Sequence, residues 1–294
     1  MRPRLSSVSM SGSEPHVPVT TGTATNLRHR DVHHRPPTAT VQLVRWRGEH
    51  ARLERHAAEP DGQRCTTIHP ADGRPLSAGF VCHCVALLDG VGGMVMSPAL
   101  GVGEVRGFEA AGFTTRADLH LLVHDLHPIP PRPTLHEARS RRASVREWRE
   151  ILGVDAAAFP ALWHLDELGL HNALGATPSS RLRVVVGADE TLVGYAITGR
   201  AGRRGYLQRL AVAPSAQGAG IGRHLVCDAL SWCRRWRVQR VAVNTQHGNA
   251  RALSLYQTMG FVETPTGLRV LERSLPTSFG TTHGAAGTSG PSWV

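Results

Sequence analysis

The chain contains no lysine: all 33 of its basic residues are arginine. A phosphate loop of the GxxxxGK[ST] type is thereby excluded, because it needs that lysine to reach the terminal phosphates. No stretch approaches the roughly 18 uninterrupted apolar residues of a membrane span. The first thirty residues hold no apolar run of the kind a secretory signal carries. Five cysteines (Cys65, Cys82, Cys84, Cys227, Cys233) are an odd number without a scaffold-like spacing. Together these absences predict a cytoplasmic protein with reduced thiols and no membrane partner. Cys82-His83-Cys84 has no second ligand pair, so it is read as packing thiols, and no metal is expected. Aromatic residues make up only 5% of the chain, and Trp232 and Trp236 fall in a helical segment as packing residues rather than base-stacking ones.

What is present begins with charge. The formal net charge is +10. The arginines are spread along the chain, amid much Ala, Gly and Pro. Coding bias accounts for them better than a dedicated nucleic-acid surface, so no nucleic-acid partner is expected. An anionic cofactor remains compatible with the charge.

Composition divides the chain. Residues 1–39 are rich in Ser, Thr, Pro, His and Arg with no apolar period, and 277–294 form a Gly/Ser/Thr tail; both read as disordered. HPIPPRPT at 127–134 carries four prolines in eight residues and reads as a linker. The expected units are 40–126 and 135–276. In the second, a helical reading covers 134–152, and a helix pair broken at Pro160 follows. Strands are expected at 181–187, 192–199, 205–214, 240–245 and 268–275. Helices are expected at 223–236, with a stripe of Leu225, Ala229, Leu230, Cys233 and Trp236, and at 249–260, closed by Gly260. The two units also echo each other. Val95 precedes Phe113 by 18 residues, and Val243 precedes Phe261 by the same 18, each with strand, loop, short helix, Gly-Phe and closing strand in order.

The segment QGAGIG at 217–222 sits between an apolar strand and a helix. Glycines there let helix N-terminal N–H groups converge on one anion without Cβ atoms in the way. The dinucleotide fingerprint GxGxxG is not matched. What fits is Leu210-x-Val212-x-Pro214, then Gln217-x-x-Gly220-x-Gly222, then Asn249, Ala252, Leu255-Tyr256 and Gly260-Phe261. Over about 140–275 this resembles the GNAT superfamily of acetyl-CoA-dependent N-acetyltransferases. The segment AAAFPALW at 156–163 is similar to the substrate segment of ribosomal-protein alanine N-acetyltransferases.

The resemblance implies an α/β GNAT fold, a mixed central sheet with flanking helices, preceded by a smaller degenerate GNAT-like unit. It implies a strand 206–212 splayed from its neighbour around the pantetheine arm. Leu210, Ala211 and Val212 would face that arm, and an N–H of Val212 or Leu210 would polarise the thioester carbonyl. Gln217, Gly218, Ala219, Gly220, Ile221, Gly222 and Arg223 would hold the pyrophosphate. Asn249 would contact the arm, and Tyr256 would lie near the sulfur as general acid. The peptide N-terminal acetylases often place a Glu where Asn244 stands. An amide is not a base but can hold a water, so His164, Asp166 and His247 stay open as bases. In the first unit Phe108 stands where Tyr256 stands, and Pro75 removes a donor from the corresponding turn, so no chemistry is expected there. The implied function is transfer of an acetyl group from acetyl-CoA to a primary amine, a peptide N-terminus first and a small molecule second. A non-catalytic CoA-sensing or nucleic-acid-associated protein is the alternative.

Overall fold

Short apolar runs between glycines and prolines set up strands throughout the chain, and the computed structural model, which describes residues 41–56, 64–88 and 92–276, joins them in one sheet. The readings of 1–39 and 277–294 lie outside the described residues. The first half contributes β1 (Val41–Trp46), β2 (Glu49–Arg55), β3 (Cys65–Pro70), α1 (Ala78–Ala86), β4 (Gly93–Met96), α2 (Val102–Ala110) and β5 (Thr114–His124). The second contributes β6 (Ala138–Arg142), α3 (Trp148–Ala158), α4 (Glu167–Gly175), β7 (Ser179–Gly187), β8 (Leu192–Ala201), β9 (Arg204–Val212), α5 (Ile221–Arg235), β10 (Arg240–Gln246), α6 (Ala250–Thr258), β11 (Val262–Glu263) and β12 (Leu268–Leu275). This is the expected mixed α/β architecture.

The sheet runs β1-β2-β3-β4-β12-β5-β10-β9-β8-β7-β6, with β11 beside β5. Only β3/β4 and β9/β10 are parallel, each joined by a crossover helix, α1 or α5. The two halves then trade their closing strands. β5 of the first half pairs with β10 of the second, and β12 of the second pairs with β4 of the first. β5 and β12 pair antiparallel at the centre.

The repeat seen in the sequence extends to the helix ends. Phe113 N–H donates to the Phe108 carbonyl at 3.1 Å, and Phe261 N–H to the Tyr256 carbonyl at 3.0 Å. Gly112 (φ +82°) and Gly260 (φ +87°) occupy the left-handed position in each turn, where glycine has no Cβ penalty.

Two expectations need correction. Residues 134–152 are not one helix: Ala138–Arg142 is an edge strand on β7, and helix α3 starts at Trp148. Ser144 and Glu147 form a reciprocal cap that stops the strand and starts the helical turn. Pairing to the open edge of β7 outweighed the local helical pattern. Trp236 is also off the buried stripe of α5. It follows the last helical residue and is 52% exposed, with the Arg200 guanidinium 4.4 Å from its ring centre. No helix among the described residues is long and apolar enough to cross a membrane.

Candidate active site

Strands β9 and β10 pair only at their first three residues, Arg204–Tyr206 against Arg240–Ala242. Beyond that they part. A cavity of about 510 Å³ opens between them, lined on one side by Leu207–Val212 and on the other by Val243–Gln246. A β-bulge helps to bend β9 away: Ile197 pairs with Arg209 and Thr198 with Leu207, which leaves Gln208 without an opposite residue on β8.

The turn after β9 closes one end of this wedge. Gly218 (φ +91°) and Gly220 (φ +79°) adopt left-handed backbone. A Cβ at Gly218 would meet no atom within 4 Å, so the turn borders open space. Gly220 is the N-cap of α5 and brings no side-chain acceptor to the first-turn N–H groups. Those donors, at the positive end of the helix dipole, suit an anion. Gln217 Nε2 donates to the Val212 carbonyl at 3.0 Å, and Arg251 reaches Gln217 Oε1. The residues present therefore fit a long amide-bearing ligand that carries a pyrophosphate. Every residue singled out for cofactor contact lines the cavity except Ala219.

Tyr256 lines the cavity from α6 and is 5% exposed. Burial pushes its phenol up, only partly opposed by the nearby Arg209 cation, so the hydroxyl keeps its proton at neutral pH. Asn249 caps α6, accepting from Ala252 N–H at 3.1 Å, and also borders the cavity. Asn244 is exposed on β10 and lines the same space. The three alternative bases do not line it. His164 Nε2 bonds to the Phe159 carbonyl at 2.8 Å, Asp166 caps α4, and the His247 ring lies against His120.

One group of residues at the site escaped sequence reasoning. Asp155 on α3 is fully buried and accepts from Arg209 Nε and Nη2, both at 2.8 Å, and from the Tyr195 hydroxyl at 2.5 Å. The same guanidinium stacks over Phe159, 3.6 Å from its ring centre. Arg209, Phe159 and Trp163 all line the cavity. The available signal was a lone carboxylate within the helical run Ile151–Ala158.

The corresponding turn in the first half differs. There Glu49 fills the start of α1: its two carboxylate oxygens accept from Ser77 N–H at 2.7 Å and Ser77 Oγ–H at 2.5 Å. A carboxyl side chain of the chain itself thus stands at this helix start, whereas Gly220 brings no side-chain acceptor to the start of α5.

Comparison with known proteins agrees with this geometry. Residues 147–261 match the acetyltransferase (GNAT) family. Streptothricin acetyltransferase from Streptomyces lavendulae is 34% identical over 95 residues, which cover 32% of this chain and half the length of that relative. Among solved structures, a tandem GNAT protein from the clavulanic acid biosynthesis pathway is similar with a TM-score of 0.58 at 14% identity, over 82% of this chain and 84% of the other. A GCN5-related N-acetyltransferase from Kribbella flavida is similar with a TM-score of 0.52 at 11% identity, over 81% and 90%. The splayed pair β9/β10, the glycine turn and the family match coincide on one segment, residues 147–261, which matches the acetyltransferase (GNAT) family.

Proposed function

We propose that the chain is an acetyl-CoA-dependent N-acetyltransferase that acts on a primary amine by direct attack. The observation that carries this reading is the wedge between β9 and β10, with a glycine turn without a side-chain cap at one end and a buried, protonated tyrosine on its wall. Acetyl-CoA, when bound, supplies the activated acyl group. Backbone N–H groups of 218–223 hold its pyrophosphate, with Arg223 beside them. Backbone groups of Leu210 and Val212 orient the arm as an added strand would, and one of their N–H groups polarises the reacting carbonyl. Tyr256 gives its proton to the departing thiolate. Asn244 holds a water through which the amine proton leaves. Among the described residues lining the cavity there is no Cys or Ser, which supports attack without a covalent enzyme intermediate.

The likeness to streptothricin acetyltransferase supports a small-molecule acceptor. The resemblance of 156–163 to peptide acetylases supports an N-terminal amine. Release of free thiol from acetyl-CoA in the presence of a panel of amines tests the reaction itself. Tyr256→Phe is expected to keep acetyl-CoA affinity and to lose on the order of 100-fold in kcat, within the usual range for a general acid. Normal turnover in that variant would remove the acid role from Tyr256.

A further inference from the structure

We propose that the acceptor is a monoamine carried by an aromatic or branched apolar group, and that the N-terminal half selects it through Leu119. The proposal rests on the acetyltransferase reading of the cavity. The cavity is lined by residues of two separate apolar clusters. On the α5 side its walls merge with the core of Leu122, Leu207 and Val243. On the other side they meet the cluster of Leu119, Leu121, Ala242 and Trp163. On this proposal the acceptor lies on that second side, away from the α5 N-terminus and opposite the cofactor.

The lining there is Leu119, Ala158, Phe159 and Trp163, with the amides of Asn244 and Gln246 and the Arg209 guanidinium that stacks on Phe159. Leu119 belongs to β5, the strand that the first half exchanges into this sheet, and it stands directly across from Gln246 of β10. Trp163 in turn packs in one cluster with Leu119, Leu121 and Met96 of the first half. The first half thus contributes Leu119 to the lining and backs Trp163 with Leu121 and Met96.

Charge narrows the acceptor further. Among the described residues lining the cavity are Arg209, Arg223 and Arg251, and none is Asp or Glu. The buried carboxylate behind the wall, Asp155, is taken by Arg209 and Tyr195. Asp118, next to Leu119, faces Arg269, and Glu263 is held by His120. A second ammonium on the acceptor would lose its hydration and find no counter-charge. An aromatic or branched body would instead be covered by Phe159, Trp163 and Leu119.

The test uses the full chain saturated with coenzyme A, titrated calorimetrically with 2-phenylethylamine, with the amide of Phe-Gly-Gly and with spermidine, followed by turnover of each with acetyl-CoA. At least one phenyl-bearing amine should bind and should exceed spermidine in kcat/KM by tenfold or more. The phenylethylamine and peptide arms distinguish a free amine from an N-terminal residue. Leu119→Glu should shift the ratio toward spermidine by tenfold or more with coenzyme A affinity unchanged. Trp163→Ala should weaken the phenyl-bearing amines alone. Preference of the unaltered protein for spermidine, or a ratio unmoved by both substitutions, would overturn the proposal while leaving an acetyltransferase. Failure to bind coenzyme A at all would overturn the acetyltransferase reading and this one with it.

Discussion

Asp155 shows how much a single side chain holds at this site. It has no exposed surface, and Arg209 meets it with two bonds and Tyr195 with a third. Asp155→Asn would leave the Arg209 guanidinium partly buried without its counter-ion, a loss of about 3–5 kcal/mol for a broken buried pair. Urea unfolding measures it, and a change under about 1 kcal/mol would mean that the pair carries little. His124 acts in the opposite sense, as a group buried uncharged. It is 1% exposed, its Nδ1 accepts from Leu126 N–H at 2.7 Å, and desolvation holds its pKa below the ordinary value of 6.5. Protonation therefore favours the unfolded chain. The stability it contributes is complete above about pH 6.5 and is lost as pH falls through the lowered folded value. His224, also lowered, adds to the same trend, whereas Glu54, lowered as well, adds only below about pH 4.5. Melting temperature should fall from pH 7.5 to 5.5, and His124→Asn, which keeps an acceptor for Leu126, should flatten the curve. The place of Tyr256 on the cavity wall was legible in the sequence because its motif is local. Asp155 was not, because its partner Arg209 lies 54 residues away and only the folded sheet brings them together.

At the scale of elements, the site depends on two strands that join and then part. The joined end is held tightly. A Cβ at Gly205 of β9 would lie 2.8 Å from Cys233 Sγ and 3.1 Å from Val238 and Val241. Gly205→Ala should cost about 1–3 kcal/mol through overpacking against α5, read as a lower thermal midpoint; an unchanged midpoint would show that α5 can shift freely. The open end was legible: apolar strand, glycine turn and amphipathic helix appear in order in the sequence, and β9, the turn and α5 follow it closely. The bulge at Gln208 was not, since it is set by the β8 register. Strand β6 was misread for a related reason. Its alternation of Arg and small residues is weak by itself, and only the free edge of β7 makes it a strand.

At the scale of the molecule, the two sequence repeats share a sheet rather than owning one each. Residues 127–134 run between β5 and β6, yet β5 pairs with β10 and β12 with β4. The repeat itself could be read from the spacing of Val95–Phe113 and Val243–Phe261; the exchange could not, because both closing strands are compatible with either neighbour. A chain starting at residue 135 would leave β10 and β12 with unpaired edges, so it should aggregate or fail to unfold cooperatively, and a soluble, cooperative fragment would contradict the exchanged pairing. The first half also keeps Glu49 at the start of α1, so one cofactor per chain is expected rather than two. The central claim is that acetyl-CoA enters the wedge between β9 and β10 and is held by the glycine turn. Calorimetric titration of acetyl-CoA into the full chain, with Gly220→Asp alongside, tests it most directly. The account predicts one molecule bound per chain and binding lost in the variant, whose carboxylate repels the pyrophosphate and strains a backbone at φ +79°. No binding by the unaltered chain, or equal affinity in the variant, would contradict it.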